Sequence, residues 1–286
     1  MMKYILLLAF SFGLLSATQT EIVHSSVSLY GESREFHNSV QKYDGKIYGV
    51  GADIHYGSSA YKVAYEMGDI KTKQPPLREN LETQKIFARY AYKMSEKFSL
   101  NVNYINILQD NIAITDGGES FALGVTYKPS QKIGLNLTQF YTLYDDFNVA
   151  QSDLKLNFKS KINGIGFRVT SITKYILIDE KNGNVFTRNA QNSYLTSGLK
   201  LHAHYRTWHA GIGAYYGKRA FAIMNDGFKI QHHAMEFDRT YAAGIGKDMG
   251  AFVLRYQYIY QHAEELPMKN EGVEVSNMRF IANYKF

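Results

Sequence analysis

The sequence predicts an all-β chain that closes into one antiparallel transmembrane β-barrel of about fourteen strands, with twelve as the alternative count. Three observations support this prediction. Apolar and polar residues alternate with a period of two along most of the chain, as they do in strands with two different faces. Short and long connections between these segments also alternate. Aromatic residues are abundant, with 23 Tyr and 17 Phe among 286 residues.

The carboxy-terminal residues show the alternation most clearly. Met278, Phe280, Ala282, Tyr284 and Phe286 share one face, and most positions on the other face are polar or charged. An apolar, aromatic face that ends on a terminal Phe resembles the closing strand of bacterial outer-membrane β-barrels. In those proteins the last aromatic residues, here Phe280, Tyr284 and Phe286, belong to the signal read by the barrel-assembly machinery. The resemblance implies a location in the bacterial outer membrane.

The first 17 residues have the layout of a secretory signal peptide. Lys3 gives a positive start, an apolar run extends from Tyr4 to Leu15, and Ser16 and Ala17 supply small residues near a cleavage site. An apolar run of this length is too short to span a bilayer as a helix, which argues against a membrane anchor. We therefore predict a signal peptide at 1–17 and a single barrel domain at 18–286.

The composition suits strands that contact lipid with every second residue. Mean hydropathy is -0.30, a value that soluble secreted proteins share with transmembrane barrels. The many rings are expected to form girdles at the two membrane interfaces. There is no Cys, and 31 basic residues against 26 acidic ones remain after Lys3 is removed. These features exclude disulfides and give little support to nucleic-acid binding, since no polybasic tail is present.

Fourteen segments have the length that a tilted strand needs to cross a membrane. Their predicted placements are 25–35, 46–57, 60–70, 83–93, 98–108, 119–128, 132–144, 151–160, 163–176, 193–205, 208–220, 235–246, 251–262 and 274–286. In the segment 98–108, for example, Phe98, Leu100, Val102 and Tyr104 form an apolar face interleaved with Ser and Asn.

The connections between these segments fall into two classes. Tight turns are predicted at 57–59, 95–97, 129–131, 161–162 and 247–250, and longer polar loops at 37–44, 71–82, 109–118, 145–150, 178–192, 222–233 and 263–272. Short periplasmic turns and longer extracellular loops are typical of outer-membrane barrels. All four prolines fall in connections, where they break no ladder hydrogen bond. The loop at 178–192 is the longest, and we predict it to be a lid.

Two kinds of motif invite a chemical interpretation. Four Gly-x-Gly pieces, at 49–51, 164–166, 211–213 and 244–246, lack the third glycine and the following helix of a phosphate-binding loop. We interpret these glycines as lumen-facing positions that leave space and let the sheet coil. His202 and His204 share a strand face, but no carboxylate or thiol accompanies them as a third metal ligand. Polar lumen residues are the preferred interpretation.

A hydrolytic site is the other chemical hypothesis. Ser197, His202 and Asn192 could in principle form a nucleophile, a base and an orienting group, but nothing in their spacing enforces that arrangement. We therefore predict no catalytic, metal-binding or cofactor-binding residues and no enzymatic activity. An enzyme or adhesin that uses the barrel as a scaffold stays open as an alternative.

Charged residues opposite the apolar faces are the most useful functional signal. Because a charge in contact with lipid is costly at mid-membrane, these residues are expected to face the lumen. The predicted pore-lining residues are Asp53, Lys62, Glu66, Arg89, Lys155, Arg168, Lys200, Arg255 and Arg279. Bases outnumber acids in this set by about seven to two. Charged rings bias which ions pass, so a weak anion preference follows, unless these residues merely pair with one another.

The whole mature chain resembles small monomeric fourteen-stranded porins, which pass ions and small sugars with little selectivity. The resemblance implies a water-filled passive diffusion channel for ions and small hydrophilic solutes, without a cofactor. Its expected partners are membrane lipid, lipopolysaccharide and the assembly machinery. The chain is too short for sixteen strands and lacks a Pro-Glu-Phe-Gly-type constriction motif, so neither a trimer nor a pinned lumen loop is expected. A specific transporter for an acidic oligosaccharide or a hydrophobic compound stays open as an alternative.

Overall fold

The structure is a computed structural model that describes residues 22–286 except 75, 76, 112, 113, 181, 182, 184 and 232. The predicted signal peptide at 1–17 lies outside the described residues, as do Pro75, Pro76 and part of the predicted lid. No helix in the described part of the chain is long and apolar enough to cross a membrane. The architecture is all-β, as predicted.

Fourteen long strands and one short hairpin make up the described fold. The strands are β1 (Ile22–His37), β2 (Lys42–Tyr56), β3 (Ser59–Thr72), β4 (Leu81–Lys93), β5 (Phe98–Asp110), β6 (Glu119–Tyr127), β7 (Ile133–Leu143), β8 (Asn148–Ile162), β9 (Ile165–Asp179), β10 (Ser193–Tyr205), β11 (Trp208–Arg219), β12 (Ile223–Met224), β13 (Lys229–Ile230), β14 (Met235–Met249), β15 (Phe252–Glu265) and β16 (Asn270–Lys285). Each of the fourteen predicted segments overlaps one long strand, so the count of fourteen is confirmed and twelve is wrong.

The long strands form a closed antiparallel barrel in which each strand pairs with its neighbours along the chain. Two pairs join strands that are not consecutive in sequence, and these pairs complete the ring. Strand β11 pairs with β14, which leaves β12 and β13 as a separate two-stranded hairpin. Strand β1 pairs with β16, in a register that sets Tyr30 opposite Ile281, and the Phe286 amide donates to the Ser25 carbonyl over 3.0 Å. The terminal Phe is therefore part of the seam that closes the sheet.

The outer surface of the barrel is apolar, as the alternation predicts. Leu123, Ile212 and Phe280 are 60 to 65% exposed. Transfer of such a side chain from water to an apolar environment is favourable by roughly 1.5–3 kcal/mol, so their exposure to water would be costly. Rings also meet across strands on this surface, for example Phe98 and Tyr127 with centroids 4.8 Å apart. A continuous exposed surface of this kind fits hydrocarbon better than water.

The two ends of the barrel differ in their connections. At the short-turn end, two-residue turns join β2 to β3, β8 to β9, β10 to β11 and β14 to β15. Asn163 and Gly164 both have positive φ, which is the Asn-Gly type I′ turn that hairpins favour. The prediction of a turn at 161–162, with Gly164 on the lumen face, was therefore wrong by two residues. The slightly longer turns at 94–97 and 128–132 lie at the same end, and the other connections lie at the long-loop end.

The apolar core of the protein lies inside the long-loop half of the barrel. Inward side chains such as Phe87, Ile105, Phe140 and Ile176 are at most 1% exposed and pack against residues 220–224. The predicted water-filled lumen is consequently present only in part, because this half is occupied by packed side chains. Towards the short-turn end the inward residues are more exposed, Arg168 and His202 among them.

We expect the inward glycine at position 49 to be required for the packing of Tyr30. A Cβ at this position would lie 2.1 Å from Tyr30 Cζ, and the Tyr30 hydroxyl donates to Glu66 Oε2 over 2.7 Å. Gly49→Ala should lower the free energy of unfolding by about 1–3 kcal/mol, the usual cost of overpacking. The measurement is urea-induced unfolding of the protein refolded in lipid vesicles.

The matched control for this change is Gly134→Ala. Gly134 is also a strand glycine, and the nearest atoms to its added Cβ are 3.9 Å away. A combination of Gly49→Ala with Tyr30→Ala should recover part of the loss, since the overlapping ring is then gone. Equal unfolding midpoints for Gly49→Ala and Gly134→Ala would show that the overlap is not real.

Candidate functional site

A segment of the long connection between β11 and β14 folds into the barrel. We call residues 220–231, which include β12 and β13, the lumen loop. Ala220, Phe221 and Ala222 are completely buried, and Ile223 is 1% exposed. Such apolar residues are buried here only because the loop enters the lumen and packs against the inward face of the strands. The lumen loop therefore decides how much of the barrel interior is open.

The lumen loop has an unusual backbone. Phe221, Asn225 and Asp226 have φ between 49° and 60°, and Gly227 has φ of 92°. A left-handed conformation at a residue other than glycine costs of the order of 1–3 kcal/mol and persists only when its surroundings hold it. The loop must therefore be fixed by contacts with the barrel wall.

The wall binds the lumen loop through the backbone of Ile223. Gln151 Nε2 donates to the Ile223 carbonyl over 2.8 Å, and the Ile223 amide donates to Gln151 Oε1 over 2.8 Å. Lys174 Nζ donates to the same carbonyl over 2.8 Å. These hydrogen bonds satisfy a buried peptide group that would otherwise cost about 1–3 kcal/mol.

The tip of the lumen loop is held by charge and by aromatic contacts. Asp226 forms an ion pair with Lys155 on β8. Enclosure by the barrel alone would raise the pKa of Asp226, but the charge of Lys155, together with those of Arg89 and Lys200, lowers that pKa to about 2. The Phe228 ring lies 6.0 Å from that of Phe87. Asp226 therefore stays ionised at every physiological pH.

Buried ion pairs line the wall beside the loop. Lys174 and Asp153 are 2.5 Å apart with 2% and 1% of their side chains exposed, and Lys85 and Glu66 are 2.7 Å apart. Removing one partner of such a pair leaves the other charge buried without a partner, which lowers the free energy of unfolding by about 3–5 kcal/mol. These pairs are therefore required for the shape of the wall, and their charges are compensated.

A second network joins β1, β3 and β16. Arg279 contacts Glu32 at 2.6 Å and Glu66 at 3.9 Å, and Arg34 contacts Glu32 at 2.6 Å. Glu66 and Arg279 were predicted to line the pore, and the structure places both in this network. Because opposite charges pair here, these residues add little net field to the lumen.

A cavity of about 300 Å³ lies beneath the tip of the lumen loop, inside the barrel. Four predicted lining residues, Arg89, Lys155, Arg168 and Lys200, meet around it, together with Asp226. The rest of its wall is mainly amides and hydroxyls: Asn101, Asn103, Thr126, Asn136, Thr138, Phe140, Asn157, Thr170 and Ile172. The cavity is thus polar and basic.

Three of the cations around this cavity lack a compensating carboxylate. Among the described residues, no acidic group lies within 4.0 Å of Arg89, Arg168 or Lys200, whereas Lys155 has Asp226. Lys200 Nζ instead lies 5.6 Å from the centre of the Tyr215 ring. These three cations therefore give the cavity a net positive charge.

The other predicted lining residues lie nearer to solvent. Asp53 and Lys62 form a loose pair at 3.9 Å, with 34% and 47% of their side chains exposed. Arg255 alternates with the outward residues Leu254 and Tyr256 on β15 and is exposed on the inward face. All nine predicted residues occupy inward positions of their strands, and their role in conduction stays a prediction.

The alternative chemical sites are not assembled in the described residues. Ser197 lies on the outer face of β10, where its Oγ is 3.4 Å from Thr173 Oγ1, and His202 lies on the opposite face. The hypothetical pairing of these two residues is therefore wrong, because their side chains project from opposite faces of the sheet. His204 and His209 approach within 3.2 Å between their Nδ1 atoms, yet no group of three potential metal ligands occurs in the described chain.

The described residues of the predicted lid, the loop at 178–192, lie outside the lumen. In the described part of 178–192, Ala190 is 4% exposed and Asn189 donates to the Leu266 carbonyl over 3.0 Å, so this loop packs across the long-loop end. The segment that enters the barrel comes from the next long loop, predicted at 222–233. The role of the loop at 178–192 as a lid stays a prediction, whereas the expectation that no pinned lumen loop exists was wrong. Its anchors, Gln151, Lys155 and Lys174, form no contiguous sequence motif.

Several residues of the site were missed from the sequence. Lys85, Asp153 and Lys174 lie an even number of positions from Arg89, Lys155 and Arg168 on the same strands, so the alternation itself could have found them. Asp226 could not be found in this way, because it lies in a loop without periodicity. Its partner Lys155 is 71 positions away.

No family model matches the sequence, and no curated protein is similar to it. Solved structures do match. A structure described as a bacterial polysaccharide outer membrane secretin has 8% identity and a TM-score of 0.57, over 92% of this chain and 98% of that one. The outer membrane protein Omp33 of Acinetobacter baumannii has 9% identity and a TM-score of 0.50, over 93% and 100%.

A third similar structure is OccK8 (OprE) of Pseudomonas aeruginosa, with 13% identity and a TM-score of 0.45, over 92% of this chain and 98% of that one. The identities are low, so these similarities concern the fold and not the activity or the subfamily. Together with the closed ring of fourteen strands, the first two show that the chain has the fold of an outer-membrane β-barrel.

Proposed function

We propose that this protein is an outer-membrane channel for ions and small hydrophilic solutes with a weak preference for anions. The observation that carries the proposal is the combination of an apolar outer surface with an inner cavity bordered by three uncompensated cations. In this proposal the short-turn end faces the periplasm and the long loops face the exterior. Lipid, lipopolysaccharide and the assembly machinery are its partners during insertion.

The described conformation corresponds to the closed state of this channel. The lumen loop and the apolar core fill the long-loop half, and beside the loop there is a cavity of only about 40 Å³, bordered by Arg34, Lys85, Lys229 and Gln261. One water needs roughly 10–15 Å³ of such volume, so this space holds a few water molecules and no larger solute. In this proposal, conduction requires the lumen loop to move away from the wall.

A disulfide between the loop and the wall should lock the channel shut. The chain has no native Cys, and a Cβ at position 227 would lie 3.4 Å from the Cβ of Asn103, close to the roughly 3.5–4.5 Å of natural disulfides. Oxidised Asn103→Cys/Gly227→Cys protein should show few or no conductance steps in planar bilayers. Reduction should restore the steps, because it frees the loop.

Two controls separate gating from strain. Gly227 has positive φ, so the single variant Gly227→Cys measures the cost of a side chain at this position. Wild-type protein treated with the same oxidant and reductant should not change. Equal conductance in the oxidised and reduced states would show that the lumen loop is not the gate. Wild-type protein without stepwise conductance at any voltage would argue against a channel.

Removing exposed, uncompensated cations should weaken the anion preference. We expect Arg168→Ser/Arg255→Ser to shift the reversal potential in a salt gradient towards cation selectivity, because these residues carry unpaired charge on the inward face. Arg279 is a poor choice for this test, since its loss would leave Glu32 and Glu66 unbalanced.

The control for this experiment is Lys71→Ser. Lys71 is a 60% exposed residue at the long-loop end of β3, 3.6 Å from Asp44. Its removal changes the net charge without altering the cavity, so the reversal potential should stay near that of the wild type. A cation-selective wild-type channel would contradict the proposed preference.

A further inference from the structure

We propose that the cavity beneath the lumen loop is a binding site for a small hydroxylated organic anion, such as a sugar acid, and that Asp226 occupies the place of the ligand's carboxylate when the site is empty. The proposal deepens the proposed function, since it names the solute class. Binding itself can be measured on the purified protein without transport.

The charges around the cavity require an anion. Arg89, Arg168 and Lys200 have no carboxylate within 4.0 Å among the described residues. Like charges that share a confined space repel each other, and they attract an anion more strongly there than in open water. Asp226, which enters from the loop and pairs with Lys155, is the only acidic residue among those that border the cavity.

The hydrogen-bonding groups around the cavity require hydroxyls as well. Asn103 is 3% exposed, and its Oδ1 has no hydrogen-bond donor, while its Nδ2 donates to Asn101 Oδ1 over 3.3 Å. A buried acceptor without a donor costs about 1–3 kcal/mol. Gly227 covers this amide, since its added Cβ would lie 3.3 Å from Asn103 Cγ. The loop tip thus blocks an acceptor that it cannot satisfy.

A ligand with a carboxylate and several hydroxyls would satisfy both features. Its carboxylate would pair with Lys155 and the free cations, and one hydroxyl would donate to Asn103 once the loop tip is displaced. The volume of about 300 Å³ is at the lower end of ligand pockets, which suits a molecule of monosaccharide size. Only Phe140 and Ile172 are apolar among its lining residues, so a hydrophobic compound does not fit.

Asp226 then acts as a built-in competitor. Its carboxylate already pairs with Lys155, and Arg89 and Lys200 are close enough to stabilise its charge. A ligand carboxylate must displace it, and that displacement pulls the strained loop tip at 225–227 away from the wall. Occupation of the cavity and release of the lumen loop are therefore linked.

The test is calorimetric titration of the purified full-length protein in detergent with three probes. Gluconate carries a carboxylate and hydroxyls, glucose carries hydroxyls without the charge, and propionate carries the charge without hydroxyls. We expect saturable binding of gluconate, and at least about tenfold weaker binding of the other two, a difference of about 1.4 kcal/mol. Equal binding of gluconate and propionate, or of gluconate and glucose, would overturn the proposal.

Variants locate the binding in the cavity. Arg168→Gln/Lys200→Gln should weaken gluconate binding by about tenfold or more, and Arg206→Gln should leave it unchanged, because Arg206 lies in the turn between β10 and β11 and stacks on Tyr205 at 5.2 Å. Equal losses in both variants would show nonspecific attraction to the basic protein and would overturn the site.

Asp226→Asn distinguishes a competitor from a ligand-binding group. Because this change keeps the shape but removes the charge, gluconate should bind about tenfold more tightly. The urea concentration at which Asp226→Asn unfolds should equal that of the wild type. If it does and the variant nevertheless binds gluconate more weakly, Asp226 is not a competitor of the ligand. Gluconate binding without any conductance would support this site and reject the channel. Conductance without gluconate binding would do the reverse.

Discussion

The peptide groups of a chain inside hydrocarbon find no partner except one another, and this constraint shapes the whole protein. Strands can meet it only in a closed sheet, which is why β1 pairs with β16 and why the amide of Phe286 donates to Ser25. Closure divides every strand into an outward face that must be apolar and an inward face that need not be. Polar and charged groups thereby collect inside the barrel.

The interior has to compensate the charges it gathers. Pairs such as Lys174 with Asp153 and Lys85 with Glu66 are almost completely buried, and they fix the wall in one arrangement. The backbone of Ile223 is held by Gln151 and Lys174, which belong to or adjoin this arrangement. The lumen loop is therefore bound to the inner charge network, and the position of the loop depends on that network. Where pairing is incomplete, at Arg89, Arg168 and Lys200, the interior is suited to bind something else.

Most of the fold could be predicted from the sequence because the period of two is written into each strand separately. Segment 193–205 was predicted with the observed bounds of β10. The predicted closing segment 274–286 overlaps β16, and the Phe286 amide continues its pairing with β1. The lumen loop could not be predicted in the same way, because its polar contacts with Gln151, Lys155 and Lys174 join positions 49 to 72 residues apart. One local signal was present nevertheless. Residues 220–224 are Ala-Phe-Ala-Ile-Met, an apolar run that an exposed loop would not carry.

The difference between local and long-range contacts also explains why the strands of the wall were predicted better than the charge balance inside the lumen. Alternation reports which face a residue occupies, but not whether its charge is balanced, since balance depends on the neighbouring strand and on loops. Glu66 and Arg279 look like free lining charges in sequence and are paired in the structure, whereas Lys200 is left without an acid. The left-handed backbone at 225–227 persists only because the wall holds it, so the position of the lumen loop depends on its polar anchors. The barrel thus combines a wall whose closure the membrane requires with one inserted segment whose position is set by side chains of that wall.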